Sequence, residues 1–63
     1  MSTTFTTPEL AKCAADEVYM RRQVYPLWVE RGRMTKERAE REIAMMQAIT
    51  DQLLRDAASE RLL

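Results

Sequence analysis

Histidine is absent from this sequence, and cysteine, glycine and tryptophan occur once each. With Cys13 as the only thiol and no imidazole, neither an intramolecular disulfide nor a zinc site of the usual thiolate and imidazole kind can be assembled. A single glycine rules out a glycine-rich phosphate loop, and no serine or cysteine has a recognisable base beside it. Cys13 sits in an alanine-rich turn near Lys12 and Asp16, a setting more typical of a buried small hydrophobe than of an activated thiolate. The sequence therefore points to no catalytic residue, no cofactor and no metal, and the chain is not expected to be an enzyme. No apolar run approaches the roughly 18 residues that would span a bilayer, and MSTTFTT lacks the basic and apolar regions of a secretory signal. Together with the lone cysteine, this makes the cytoplasm the expected compartment.

What is present is a helix-forming composition: 46% hydrophobic residues and 32% charged ones over 63 residues, with equal numbers of acids and bases. A chain of this size is one domain at most and buries only about 60% of the surface its unfolded form exposes. Disulfides and metals being excluded, oligomerisation is the remaining route to stability. The zero net charge hides an uneven distribution. Between Arg21 and Arg41, seven bases (Arg21, Arg22, Arg31, Arg33, Lys36, Arg38, Arg41) stand against three acids (Glu30, Glu37, Glu40), a local balance of +4.

Met1 to Thr6 has no helical period and reads as a flexible arm, with Phe5 its only sizeable apolar side chain. Thr7-Pro8-Glu9 announces a helix: a hydroxyl to cap it, a proline suited to the first position, and an acid at the positive end of the dipole. The first helix is expected over about 8–31, kinked near Pro26, where a backbone donor is missing. Gly32 ends it. The turn occupies 32–35, Thr35 caps a second helix of about 36–60, and so short a connection folds the two helices into an antiparallel hairpin.

On the second helix Ala39, Ile43, Met46, Thr50, Leu53 and Ala57 alternate four and three apart, the spacing of a coiled-coil-like seam, widened by Ile49 and Leu54. The opposite face carries Glu37, Arg38, Glu40, Arg41, Gln47, Asp51 and Arg55, with Glu37 to Arg41 and Asp51 to Arg55 in the favourable order for ion pairs. Met45 and Met46 straddle the seam and read as core filling. On the first helix Leu10, Ala14, Val18, Tyr25 and Trp28 fall on one side, Cys13, Met20, Val24 and Leu27 on a second flank. Glu17 and Arg21 lie between. Two readings stay open: a surface ion pair dividing the helix contact from solvent, or a helix with two apolar faces because it touches both its own partner helix and a second subunit. The second makes Cys13, Met20, Val24, Leu27, Glu17 and Arg21 the interface of a homodimer, an all-α hairpin doubled into a four-helix bundle.

The segment VYPLWVERGRM gathers aromatics and arginines of the kind found in binding hot spots. Tyr25, Trp28, Arg31, Arg33 and Arg22 are the candidate partner-binding residues, although Tyr25 and Trp28 can equally close the end of a small core. The string from Met20 to Ile49, with its Val-Tyr-Pro, Trp-Val, Gly-Arg-Met and Ala-x-Arg-Glu-Ile-Ala-x-Met elements, resembles the core of short, mostly uncharacterised proteins encoded by bacteriophages and prophages of Gram-negative bacteria. Leu27 stands where a basic residue would be expected. The resemblance covers 30 of 63 residues and implies a phage-derived accessory protein in the bacterial cytoplasm, with no catalytic residue to carry over. Two functions follow as expectations. The first is an interaction protein whose turn region docks on a host or phage protein and modulates or inhibits it. The alternative is a nucleic-acid accessory using the basic segment 21–41.

Overall fold

The computed structural model describes residues 4–61, which form two helices, α1 (Thr7–Glu30) and α2 (Lys36–Arg61), packed as an antiparallel hairpin with no strand among them. The expected arm lies partly outside the described residues, at Met1, Ser2 and Thr3. Its last residue belongs to the helix start. Thr6, not Thr7, is the N-cap: its hydroxyl accepts from the Glu9 amide at 3.3 Å, and its own amide and hydroxyl donate to Glu9 Oε1 at 2.9 Å each. This reciprocal capping box needs an acid three residues after the threonine, which Thr6 has and Thr7 lacks. Thr7 instead donates its hydroxyl to Glu60 Oε2 at 2.7 Å, tying the open end of the hairpin together.

Helix α1 runs unbroken through Pro26. It ends in a Schellman motif, with the Gly32 amide donating to the Val29 carbonyl at 3.0 Å and the Arg33 amide to the Trp28 carbonyl at 2.8 Å. Gly32 adopts φ 74°, the left-handed conformation this cap requires. At the start of α2 the Thr35 hydroxyl accepts from the Arg38 amide at 3.1 Å.

The contact between the helices is lined mostly by small side chains. Ala11, Ala14, Val18 and Tyr25 from α1 are buried against Ala39, Thr50 and Ala57 from α2. The α2 seam takes the positions its spacing indicates, with Ile43, Met46 and Leu53 half-buried between the buried residues. On α1 the seam is Thr7, Ala11, Ala14, Val18, Arg21, Tyr25 and Trp28, again four and three apart. It shares Ala14, Val18, Tyr25 and Trp28 with the expected side, but Leu10 is 40% exposed and the neighbouring Ala11 only 2%. Alanine methyls allow close approach of the two backbones, yet each contributes only about 0.8 kcal/mol on burial. Thr50, 2% exposed, satisfies its hydroxyl by donating to the Met46 carbonyl at 2.9 Å.

Candidate functional site

Seam positions of α1 are apolar or small except near its middle, where Arg21 enters the contact. Its Nη1 donates to the Glu42 carbonyl of α2 at 2.9 Å, and its Nε to Glu17 Oε2 at 3.0 Å. The guanidinium carbon lies 5.7 Å from the centroid of the Tyr25 ring, which stacks on Trp28 at 5.4 Å with 25° between the planes. Arg21, Tyr25 and Trp28 thus form one column along the seam. The Glu17 and Arg21 pair exists, but Arg21 faces α2 as well as its neighbour one turn back.

The candidate partner-binding residues do not converge on one surface. Tyr25 is buried and Trp28 half-buried, so most of this aromatic pair is spent on closing the turn end of the core. Arg22 is exposed and donates to Gln47 Oε1 of α2 at 3.2 Å. Arg31 and Arg33 are exposed at the cap and in the turn, and neither forms an ion pair among the described residues.

Of the eight large apolar side chains exposed among the described residues, helical spacing and the groove linings place six (Phe5, Leu10, Met20, Leu27, Met45 and Ile49) on one side of the hairpin and Tyr19 and Leu54 elsewhere. Leu10, Cys13, Glu17, Met20, Val24 and Leu27 follow the alternating three and four spacing of a second stripe on α1. A shallow groove joins this stripe to α2, lined by Leu10, Cys13, Ala14, Glu17, Met46, Ile49 and Leu53. Phe5 continues it beside Leu10 and Cys13, and Cys13 is exposed here, not buried as its alanine-rich setting suggests, because the stripe it belongs to faces away from α2. Met45, read from the sequence as core filling, is 47% exposed and belongs to this face, whereas Met46 is half-buried in the seam. The α2 contribution to the face, Met45 and Ile49, is the part the sequence reading did not include; both sit one position to the side of the seam.

The exposed polar face of α2 differs in its pairing from what spacing suggests. Instead of Glu37 with Arg41 and Asp51 with Arg55, Arg38 pairs with Glu42 at 2.6 Å, Gln47 donates to Asp51 at 2.9 Å and Arg55 donates to Gln52 at 3.0 Å. Glu42 holds the Arg38 guanidinium above its ordinary pKa by hydrogen bond and charge. On α1, Asp16 does the same for the Lys12 ammonium at 2.9 Å. Among the described residues no three Cys, Asp or Glu side chains gather in a way that could hold a metal ion. No helix among the described residues is long and apolar enough to cross a membrane.

No family model, curated protein or solved structure matches the chain.

Proposed function

We propose that this protein acts by protein–protein association, as a phage-derived accessory factor of the bacterial cytoplasm that self-associates through its apolar face and modulates a host or phage protein. The observation that carries this reading is the concentration of six large exposed apolar side chains on one side of a hairpin whose fully buried apolar core is largely alanine. A contiguous apolar face beside a charged one is the signature of an association surface. The four-helix bundle of a homodimer is the assembly that covers it.

The external partner meets the turn end. Arg33 and Lys36 are exposed there and form no ion pair among the described residues. They suit an acidic protein surface, where charge complementarity governs encounter and selectivity. A phosphate backbone is the weaker match, because three of the seven bases between Arg21 and Arg41 are already engaged by the fold: Arg21 with Glu17 and Glu42, Arg22 with Gln47, and Arg38 with Glu42.

The test is capture from bacterial lysate by immobilised wild type and by Arg33→Glu with Lys36→Glu, with retained proteins identified by mass spectrometry. Glutamate in place of Lys36 suits the first turn of α2, so the variant keeps its helicity. The expected result is a protein retained by the wild type and reduced at least tenfold on the variant. Equal capture by both removes the turn end from the interaction, and retention of nucleic acid in place of protein overturns the reading.

A further inference from the structure

We infer that the occupant of the apolar face is a second copy of this chain lying antiparallel to the first, so that the turn end of each hairpin covers the open end of the other. The inference rests on the reading of this face as a self-association surface and adds the partner's orientation.

The area argues for a second copy. The protein presents 5224 Å² of accessible surface over extents of 47 × 20 × 19 Å. A folded monomer of 7.4 kDa exposes roughly 4,200 Å², an excess of about 1,000 Å² here. A standard interface buries about 800 Å² per partner, so the excess is enough for one.

The charges argue for the orientation. Thr7 meets Glu60 and Arg22 meets Gln47 across the hairpin, so the level of residue 18 on α1 corresponds to about residue 50 on α2. Divided there, the turn half (residues 19–49) carries seven bases and four acids, a balance of +3, and the open half carries three bases and six acids, a balance of −3. Two copies with their turns at the same end would oppose like halves. Antiparallel copies oppose unlike ones.

The same complementarity holds along the face itself. By helical spacing, Arg31 and Arg38 border its turn end, and Glu9, Asp56 and Glu60 border its open end. A two-fold axis across the middle of the face sets α1 against α1 and α2 against α2 of the second copy. Leu10 of each then meets Leu27 of the other, Cys13 meets Val24, and the two Ile49 side chains meet near the axis. Arg31 falls above Glu9, while Arg38, already paired with Glu42 of its own chain, falls at the level of Asp56 and Glu60. Glu17 and Arg21, close to the axis, are the only charged pair carried into the middle of the contact, and they arrive already neutralised by each other.

The experiment combines sedimentation equilibrium of the wild type at micromolar concentration with a spin-label distance in full-length Cys13→Ser, Arg33→Cys, a variant changed only at an exposed face position and an exposed turn position. Circular dichroism checks that helicity is retained. The expected mass is twice 7.4 kDa. The expected distance between turn labels is about 40 Å, from some 13 residues of separation from the axis on each side at 1.5 Å per residue. A dimer with labels about 20 Å apart or closer has its turns at the same end; it overturns the orientation and leaves self-association standing. A 7.4 kDa species with full helicity overturns the second copy itself, while partner capture through Arg33 and Lys36 is judged separately by the lysate experiment.

Discussion

Arg21 donates to the main-chain carbonyl of Glu42, 21 residues away, at 2.9 Å, and this is the one side-chain hydrogen bond that crosses the middle of the helix contact to a backbone atom among the described residues. The long side chain takes a seam position and fills it with methylene groups, while its guanidinium is held by Glu17, the Glu42 carbonyl and the Tyr25 ring. An arginine here fixes the longitudinal register of two helices whose small side chains would otherwise slide with little penalty.

Arg21→Ala removes the packing, leaves Glu17 without its partner and empties the Tyr25 face. The methylene groups beyond Cβ contribute about 0.8 kcal/mol each on burial, so with the void left behind a loss of about 2 kcal/mol is expected in urea unfolding. Arg21→Met keeps the stem volume and should lose less than about 1 kcal/mol. Equal losses in the two variants would show that the guanidinium, not the stem, carries the effect.

The alanine seam makes a separate forecast. Ala11 is 2% exposed between the helices, so Ala11→Leu must force them apart, at a cost of about 1 to 3 kcal/mol. Ala15, one turn on and exposed, is the control: Ala15→Leu should leave the unfolding midpoint within the range of an ordinary surface change, about 0.5 kcal/mol. If both leucines are tolerated alike, the helices do not approach each other as closely as the alanines imply.

Much of this fold is legible in the residues, and the exceptions have physical causes. Gly32 and Thr35 mark the turn because each has one conformational or capping role that few residues fill. The α2 seam is legible because Ile43, Met46 and Leu53 punctuate it. The α1 seam is harder, since beside Val18 and Tyr25 it is held by Ala11, Ala14 and the half-buried Arg21, which carry little apolar weight, while Leu10, Met20 and Leu27 mark the uncovered stripe strongly. Apolar spacing locates both stripes without saying which one meets α2. The ion pairs are illegible for another reason: several arrangements of exposed charges differ by only a few tenths of a kcal/mol, and the Arg21 contact to the Glu42 carbonyl is not encoded in spacing along one helix.

At the start of α1 the pH dependence has a definite sign. The Thr6 amide and hydroxyl donate to the Glu9 carboxylate and hold it below its ordinary pKa of 4.5. A carboxyl depressed on folding contributes stability that is present above its unfolded pKa and lost as pH falls through the folded one. The wild type should therefore be more stable than Glu9→Gln near pH 7, and the difference should shrink below about pH 4. Paired urea titrations at the two ends of that range measure it. Because every other carboxylate is common to both proteins, an unchanged difference at low pH would show that the Glu9 charge plays no part in the cap.

The final prediction isolates backbone conformation from packing. Gly32 sits at φ 74° in the Schellman cap, and a Cβ built on it meets nothing within 4 Å. Gly32→Ala therefore introduces no collision with a neighbour, and its effect is the intrinsic cost of left-handed geometry, about 1 to 2 kcal/mol. Asparagine tolerates that geometry better than alanine, so Gly32→Asn should fall between the two in a urea titration. The turn connects the same helices in all three proteins, and their helicity should be equal in the absence of denaturant. An alanine variant as stable as the wild type would mean that the chain reverses through another turn, with the Arg33 amide released from the Trp28 carbonyl; amide hydrogen exchange at Arg33 would then be fast where the Schellman motif makes it slow.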